Sequence, residues 1–478
     1  MKMRLEKDLL GQHEVPSHAY YGIQTQRAVE NYRISGFRAH RQLIRAMGMI
    51  KNAAALTNCE LKLIDERRAK AILRAAEEVI LGKWDGEFVV DVYQAGAGVS
   101  FHMNANEVIA NRAIELLGGK LGDYALCHPN DHVNCSQSTN DVFPTAMRLA
   151  SLFLFDEVIR AVAELAKAFS RKAGAFDRIL KSGRTHLMDA VPIRLGQEFA
   201  AYATSMNRCE RVLAFGLGLL KEVGLGGSAV GTGLNTHPKF QKLVVRHLSK
   251  ISRQALRPTN DLRYAMQSNL AMSVASSALR NLALELIRIS NDLRLLSSGP
   301  NTGLAEIELP ALQPGSSIMP GKVNPAMAEL TAMVGFQAIG ADFVTAMAVQ
   351  AGQLELNVMM PGMTWNVLHS AEILKNTIRA LVSKCVDGIS AKEDRCRYYA
   401  NATISIATAL NPYIGYAAAA EIAKESVKSG RPVTEIALER NLLDGETLRK
   451  ILDPLRMTTP TVPIKNVFRN AKRITGKA

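Results

Sequence analysis

The chain has 478 residues, a length that sets an expectation of about three domains and is enough to bury a core without disulfide or metal staples. Apolar residues make up 47% and charged residues 21%, which excludes a disordered or collagen-like chain. The formal net charge of +14 comes from bases scattered among acids, with no zinc-finger spacing or RNA-recognition motif beside them. We therefore expect solvated surface and steering of a small anionic metabolite rather than nucleic-acid binding.

In chain order, the first ten residues are charged and lack the apolar stretch of a secretion signal. No run of about 18 apolar residues follows. The six cysteines (Cys59, Cys127, Cys135, Cys209, Cys385, Cys396) are widely spaced and form no Cys-x-x-Cys pair. These features lead us to expect a cytoplasmic protein with free thiols and no membrane span. Residues 86–93 are a brief strand candidate. A long helix-prone stretch then runs from Pro144 to about residue 173.

After Pro258 the next helix breaker is Gly299, so about 40 residues are expected to run as one helix of roughly 55–60 Å. Thr259 or Asn260 would cap its start. Leu279, Leu282, Leu286, Ile289, Leu293 and Leu296 step along it by threes and fours. That seam calls for packing against other helices, and its exposure in a lone chain would favour oligomerisation. Further helix-prone stretches begin at Pro325 and Gly362. The expected fold class is all-α with a long-helix bundle at its centre. Boundaries near residues 137 and 393 divide it into domains 1–137, 138–393 and 394–478. The only notable basic segment is 465–477.

Two glycine-rich motifs are set aside. The stretch 315–322 has five residues between its glycines, where a phosphate loop has four, and Val323 stands where a magnesium-binding hydroxyl is needed. The stretch 224–229 fits a relaxed dinucleotide pattern, but helical sequence precedes it where a strand is required. The histidines show no metal-ligand spacing.

Three polar clusters remain, at breaks flanking the long helices. They are Ser138-Thr139-Asn140-Asp141, Gly183-Arg184-Thr185-His186 and Gly315-Ser316-Ser317-Ile318-Met319-Pro320-Gly321-Lys322-Val323-Asn324-Pro325. Asn324 before Pro325 reads as a helix N-cap with proline at the first helical position, and Ser138 to Asn140 offer capping side chains. Helix N-termini suit carboxylates. With Lys322 and His186 added, the set outlines a dicarboxylate receptor. Taken singly, each cluster is more simply a cap, a structural pair or a loop, and the length and detail of the third are what lift the set.

The third cluster resembles the signature loop of the aspartase/fumarase superfamily. Other stretches agree in consistent order from about residue 5 to residue 455: Tyr21-Gly22-Ile23-Gln24-Thr25-Gln26-Arg27, Asn104-Ala105-Asn106-Glu107, Pro129-Asn130-Asp131-His132-Val133-Asn134 and Gly231-Thr232-Gly233-Leu234-Asn235-Thr236. The resemblance implies a three-domain, mostly helical subunit. Its central five-helix bundles would assemble into a homotetramer, with active sites where three subunits meet. It also implies a lyase that releases fumarate from a succinyl compound, needing no redox cofactor or metal.

Gln94-Ala95-Gly96-Ala97-Gly98, Ser138-Thr139-Asn140, Leu309-Pro310-Ala311-Leu312-Gln313-Pro314 and Ala351-Gly352-Gln353-Leu354-Glu355-Leu356-Asn357-Val358 resemble the aspartase branch, which eliminates ammonia from L-aspartate. His128-Pro129-Asn130-Asp131 and Asn111-Arg112-Ala113-Ile114-Glu115 look more like class II fumarases, which act on malate. His128, Asn130 and Asp131 resemble the second carboxylate site of fumarases. Fumarate hydratase, a lyase for another succinyl compound and a non-catalytic helical scaffold stand as alternatives.

Carried over by resemblance, Ser316 is the base and abstracts a proton to give an aci-carboxylate. Lys322, Asn324 and Thr185 hold the α-carboxylate, and Ser138, Thr139 and Ser317 hold the β-carboxylate. Asn140 and His186 meet the amino group, and Glu329 orients His186. One departure matters. After Gly98 the family places a substrate-contacting threonine, and this chain has Val99. Met188 also replaces a glutamine common after Thr-His-Leu, a change without a physical consequence we can assign.

Overall fold

The structure is a computed structural model and describes residues 2–463; the basic segment 465–477 lies outside the described residues. A hairpin of β1 (Met3–Asp8) and β2 (Gly11–Pro16) leads into helices α1 (Ile23–Asn31), α2 (Arg41–Glu60), α3 (Glu66–Ile80) and α4 (Val99–Leu116). Helix α5 (Thr139–Ala175) follows, then a hairpin of β3 (Leu180–Thr185) and β4 (Met188–Arg194). Next come α6 (Leu195–Leu220), α7 (Phe240–Ser252), the short α8 (Leu262–Gln267) and α9 (Leu270–Leu296). Helices α10 (Ala326–Gln350), α11 (Met360–Lys384) and α12 (Glu393–Ala402) complete the run before a short-helix segment. The all-α expectation holds: the described residues are mostly helical, and their strands form only two-stranded pairings.

The chain divides into two compact units. The first contains the chain up to Val162 together with Arg208–Leu284 and Met333–Thr377; the second contains Ala163–Asn207, Glu285–Ala332 and the chain from Ile378 onward. In the first unit, α2 packs against α3 and α7, and α4 packs on α1 and α3. The α3 sequence explains its place: Asp65 caps it by accepting from the Arg68 N–H. Ala69, Ile72, Ala75, Ala76 and Val79 then recur at helical spacing and are buried. In the second unit, the β3–β4 hairpin packs on α12. Ile406, Leu410, Ile422, Val433, Ile436 and Leu448 form a small core toward the C-terminus.

Several expectations need correction. Residues 86–93 are not a strand; they form a short 3₁₀ turn, Asp85–Glu87, and an isolated bridge between Asp91 and Arg38. The strand pairs that do exist were too short and polar to stand out. The 40-residue helix is two helices, broken where Ser268 is extended (φ −104°, ψ 129°). The first is capped by Asp261, which accepts from Arg263 and Tyr264, and not by Thr259 or Asn260. Ser268 accepts from the Leu270 N–H and restarts the second. Helix α5 begins at Thr139, so Pro144 lies inside it.

The leucine seam of α9 is buried within the single chain, with Leu282 and Leu293 fully covered. It leaves no stripe for a partner. The exposed apolar stripe lies instead on α10, where Met333, Phe336, Phe343, Val344 and Met347 face solvent, Phe336 at 62% and Phe343 at 66% exposure. Helices α9 and α10 reach the length and hydropathy of a membrane span by composition alone. Against that reading, Asp342 of α10 pairs with Arg280 of α9 at 3.4 Å.

Candidate active site

The first unit holds Val99, Ser138, Thr139 and Asn140. Ser138 starts α5 as a reciprocal cap. Its Oγ accepts from the Asn140 N–H at 3.3 Å, and its own N–H donates to the Asp141 carboxylate at 2.9 Å. Asp141 also accepts from the N–H groups of Gly226 (2.9 Å) and Ser228 (3.0 Å), which ties the glycine-rich stretch to the helix start. Asp141 is buried, and burial pushes its carboxyl up to about 6 against the pull of those N–H groups.

Asn140 donates its amide N–H to the Ala229 carbonyl at 2.8 Å, which leaves its oxygen as the acceptor. Thr139 Oγ1 lies 2.7 Å from His102 Nδ1. The bland capping reading of Ser138 is therefore correct for Ser138 and incomplete for its neighbours.

Val99 is the first residue of α4 and is 41% exposed. Gly96, Ala97 and Gly98 before it all have positive φ (70°, 56°, 93°). Gly98 admits no side chain, because a Cβ there would run into the Phe143 ring. The Phe101 N–H, in the first turn of α4, is satisfied by Gln94 Oε1 at 2.7 Å. His128 Nδ1 accepts from the N–H groups of Asn130 and Asp131, each at 3.2 Å, and caps the turn Pro129–Val133.

The second unit holds Thr185, His186, Ser316, Ser317, Lys322, Asn324 and Glu329. His186 and Leu187 form the two-residue turn of the β3–β4 hairpin, and both have positive φ (58° and 60°). That is the backbone two-residue hairpin loops favour, and it is costly for residues other than glycine or asparagine. The hairpin stem is held by charge. Arg184 donates to both oxygens of the buried Glu306 at 2.9–3.0 Å, and buried Lys181 lies between Glu198 (2.8 Å) and Glu306 (3.4 Å). Arg184 thus anchors the strand whose end presents the exposed Thr185 and His186.

In the loop 315–325, Ser316 Oγ accepts from the N–H groups of Ile318 (3.2 Å) and Met319 (2.9 Å). The loop base is closed by the Gly315 N–H donating to the Lys322 carbonyl at 2.7 Å, and by the Asn324 amide donating to the Gly315 carbonyl at 2.8 Å. Gly315 is required there, since a Cβ would sit 2.8 Å from the Asn324 nitrogen. Asn324 is therefore a loop clasp and not the N-cap expected of it; the first helical bond of α10 runs from the Glu329 N–H to the Pro325 carbonyl. Ser317, Lys322 and Ile318 are exposed, Ile318 at 83%. Glu329 is exposed, and among the described residues it makes no ion pair with His186.

Three buried groups escaped the sequence reading. Glu107 accepts from the N–H groups of Gly22, Gln24 and Thr25 and from the Thr25 hydroxyl, pinning α4 to the start of α1. Burial raises its carboxyl to about 7. This explains why the stretches around Tyr21 and Asn104 both looked distinctive: they meet. Lys51 and His102 are the others, and a lysine or histidine in an apolar helix gives no sequence signal of its own. Among the described residues no group of three or more His, Cys, Asp or Glu side chains is arranged to hold a metal ion.

A lyase family model matches residues 11–340, and a model of the fumarase C C-terminus matches residues 406–459. The chain is 47% identical to an aspartate ammonia-lyase of Bacillus subtilis over 97% of this chain and 98% of that one. It is 48% identical to a class II fumarate hydratase of Halobacterium salinarum, over 95% and 97% of the two chains. A solved fumarate lyase:delta crystallin from Brucella melitensis superposes with a TM-score of 0.93 at 48% identity, covering 96% of this chain and all of that one. The helical fold, the polar clusters and these matches define a lyase. The chain belongs to the aspartase/fumarase superfamily.

Proposed function

We propose that the protein is an aspartate ammonia-lyase that eliminates ammonia from L-aspartate to give fumarate. The observation that carries the mechanism is the pair of backbone N–H groups aimed at Ser316 Oγ. A serine hydroxyl is a poor base at neutral pH, and two donors on its oxygen favour the alkoxide that can take a proton. In this mechanism Ser316 removes a proton from the carbon beside the β-carboxylate, and the charge moves into an aci-carboxylate. The C–N bond then breaks and ammonia leaves.

Ser138, Thr139 and Ser317 hold the β-carboxylate, where charge builds; Lys322, Asn324 and Thr185 hold the α-carboxylate. The Asn140 oxygen, left to accept because the amide N–H is committed to Ala229, accepts from the amino group together with His186. An acceptor oxygen at Asn140 suits an ammonium, which can only donate.

The assembly belongs to the same proposal. We read the chain as a cytoplasmic three-domain subunit, divided near residues 137 and 393. It forms a homotetramer whose active sites draw on three subunits, so the His186–Glu329 pair forms between chains. The apolar stripe on α10 supports burial against other copies. Ultraviolet absorbance tests the activity: fumarate should form from L-aspartate with one ammonia released for each. Formation from L-malate but not from L-aspartate would establish the hydratase instead.

A further inference from the structure

Beneath Thr139 lies a buried chain of polar groups. Lys51 on α2 is wholly buried, and its Nζ lies 2.6 Å from His102 Nε2, 2.9 Å from Asn134 Oδ1 and 2.9 Å from Gln137 Oε1. His102 on α4 is 1% exposed, and its other nitrogen, Nδ1, lies 2.7 Å from Thr139 Oγ1. The two amides are oriented by backbone carbonyls. Gln137 Nε2 donates to the carbonyls of Val133 and Cys135, and Asn134 Nδ2 donates to that of Gln137. Their oxygens must therefore face Lys51.

An ammonium has three N–H donors and no acceptor, and Lys51 faces three groups able to accept. Burial holds its pKa well below the ordinary lysine value, with the Asp141 charge as the opposing pull; what favours the ammonium there is the geometry, two amide oxygens fixed as acceptors at 2.9 Å from Nζ. The ammonium state leaves His102 Nε2 as an acceptor, so the neutral ring carries its hydrogen on Nδ1 and donates it to Thr139. A hydroxyl that has accepted from behind sends its own hydrogen forward.

We propose that Lys51 and His102 are positioning residues: Lys51 locks His102 in the Nδ1–H tautomer, and His102 obliges the Thr139 hydroxyl to donate to a substrate carboxylate. The proposal rests on Thr139 being a substrate ligand. The opposite polarity, with a neutral amine accepting from Nε2–H and the imidazole accepting from Thr139, would present oxygen lone pairs to the carboxylate and repel it.

Two measurements on the full-length assembled protein test this. In protein labelled with ¹⁵N in the histidine rings, solid-state NMR should show His102, identified as the signal lost in H102Q, with Nδ1 protonated and Nε2 bare. A protonated Nε2 would overturn the proposal, and this readout needs no variant to stay active. The second measurement is a kinetic cycle with L-aspartate as substrate and fumarate as binding probe. T139V should raise KM and the fumarate Kd about tenfold or more, the value of a hydrogen bond to a charged group, and should lower kcat as well, because charge builds on the carboxylate that Thr139 holds.

H102M should raise both constants by a similar factor in the parent and add little on the T139V background. H102Q, whose amide can accept from Lys51 and donate to Thr139, should restore most of the loss. If T139V leaves both constants unchanged, Thr139 does not bind substrate and the underlying assignment fails. If T139V raises them and H102M does not, the assignment stands and the positioning role is wrong.

Discussion

Around Ser138, Thr139 and Asn140 the holding contacts are buried and come from distant parts of the chain. Asp141 gathers N–H groups from Gly226 and Ser228, and His102 and Lys51 stand behind Thr139. In the loop 315–325 the holding contacts are the loop's own: Gly315 with Lys322, Asn324 with Gly315, and Ser316 with Ile318 and Met319. The first cluster is held in place from behind, as a fixed receptor would need to be. The second keeps its internal shape while its side chains face solvent, which is how a catalytic group can be carried on a closing segment. Local opening costs least where few buried contacts are lost.

The largest effect should come from the self-held loop. Ser316→Ala should reduce kcat by about three orders of magnitude or more, the upper range for removing a positioned base, with fumarate affinity and thermal midpoint little changed. Steady-state kinetics with fumarate binding checks this, and a variant that keeps most of its kcat places the base elsewhere. Val99 comes next, on the fixed side. A hydroxyl at this helix start could add one bond to a charged group, worth roughly 1.5–3 kcal/mol. Val99→Thr should therefore raise kcat/KM for L-aspartate by about 10- to 150-fold. Unchanged activity on aspartate, malate and related amines would show that residue 99 does not touch substrate.

The smallest expected change belongs to the brace and appears in stability rather than rate. Asp141→Asn sets an amide donor against backbone N–H groups and should cost about 1–3 kcal/mol at a pH near 5. The sign of the pH dependence follows from the raised pKa. A carboxyl at about 6 in the folded chain, against 3.8 ordinarily, stabilises the fold fully below its unfolded pKa, and that contribution is lost as pH rises through 6. The stability gap between parent and variant should therefore narrow between about pH 4 and pH 6. Denaturant unfolding across that range measures it, and a widening gap would reverse our account of Asp141.

How much of this was legible in the sequence follows the same division. The loop 315–325 stood out because its glycine and proline punctuation lies in consecutive residues, although the cap expected at Asn324 is a clasp to Gly315. The long helices were legible from their spacing, although the break at Ser268 was not, since a serine that restarts a helix looks like any polar residue within one. The brace behind Thr139 was invisible. Lys51, His102 and Asp141 lie on three separate helices, and nothing in a linear pattern reports that they meet. The leucine seam of α9 misled for a related reason: its period shows that one face must be covered, but not whether the cover comes from the same chain.

Hydrogen exchange with mass spectrometry, on the full-length protein with and without saturating fumarate, tests the contrast between the two clusters most directly. Amides of the α5 start and of Gly226 and Ser228 should be protected in the free protein and change little when fumarate binds. Amides of 315–325 should exchange fast in the free protein and slow by about tenfold or more as the loop closes. Equal protection of both clusters without ligand, or a loop whose exchange is untouched by fumarate, would contradict the division into a fixed receptor and a closing catalytic segment.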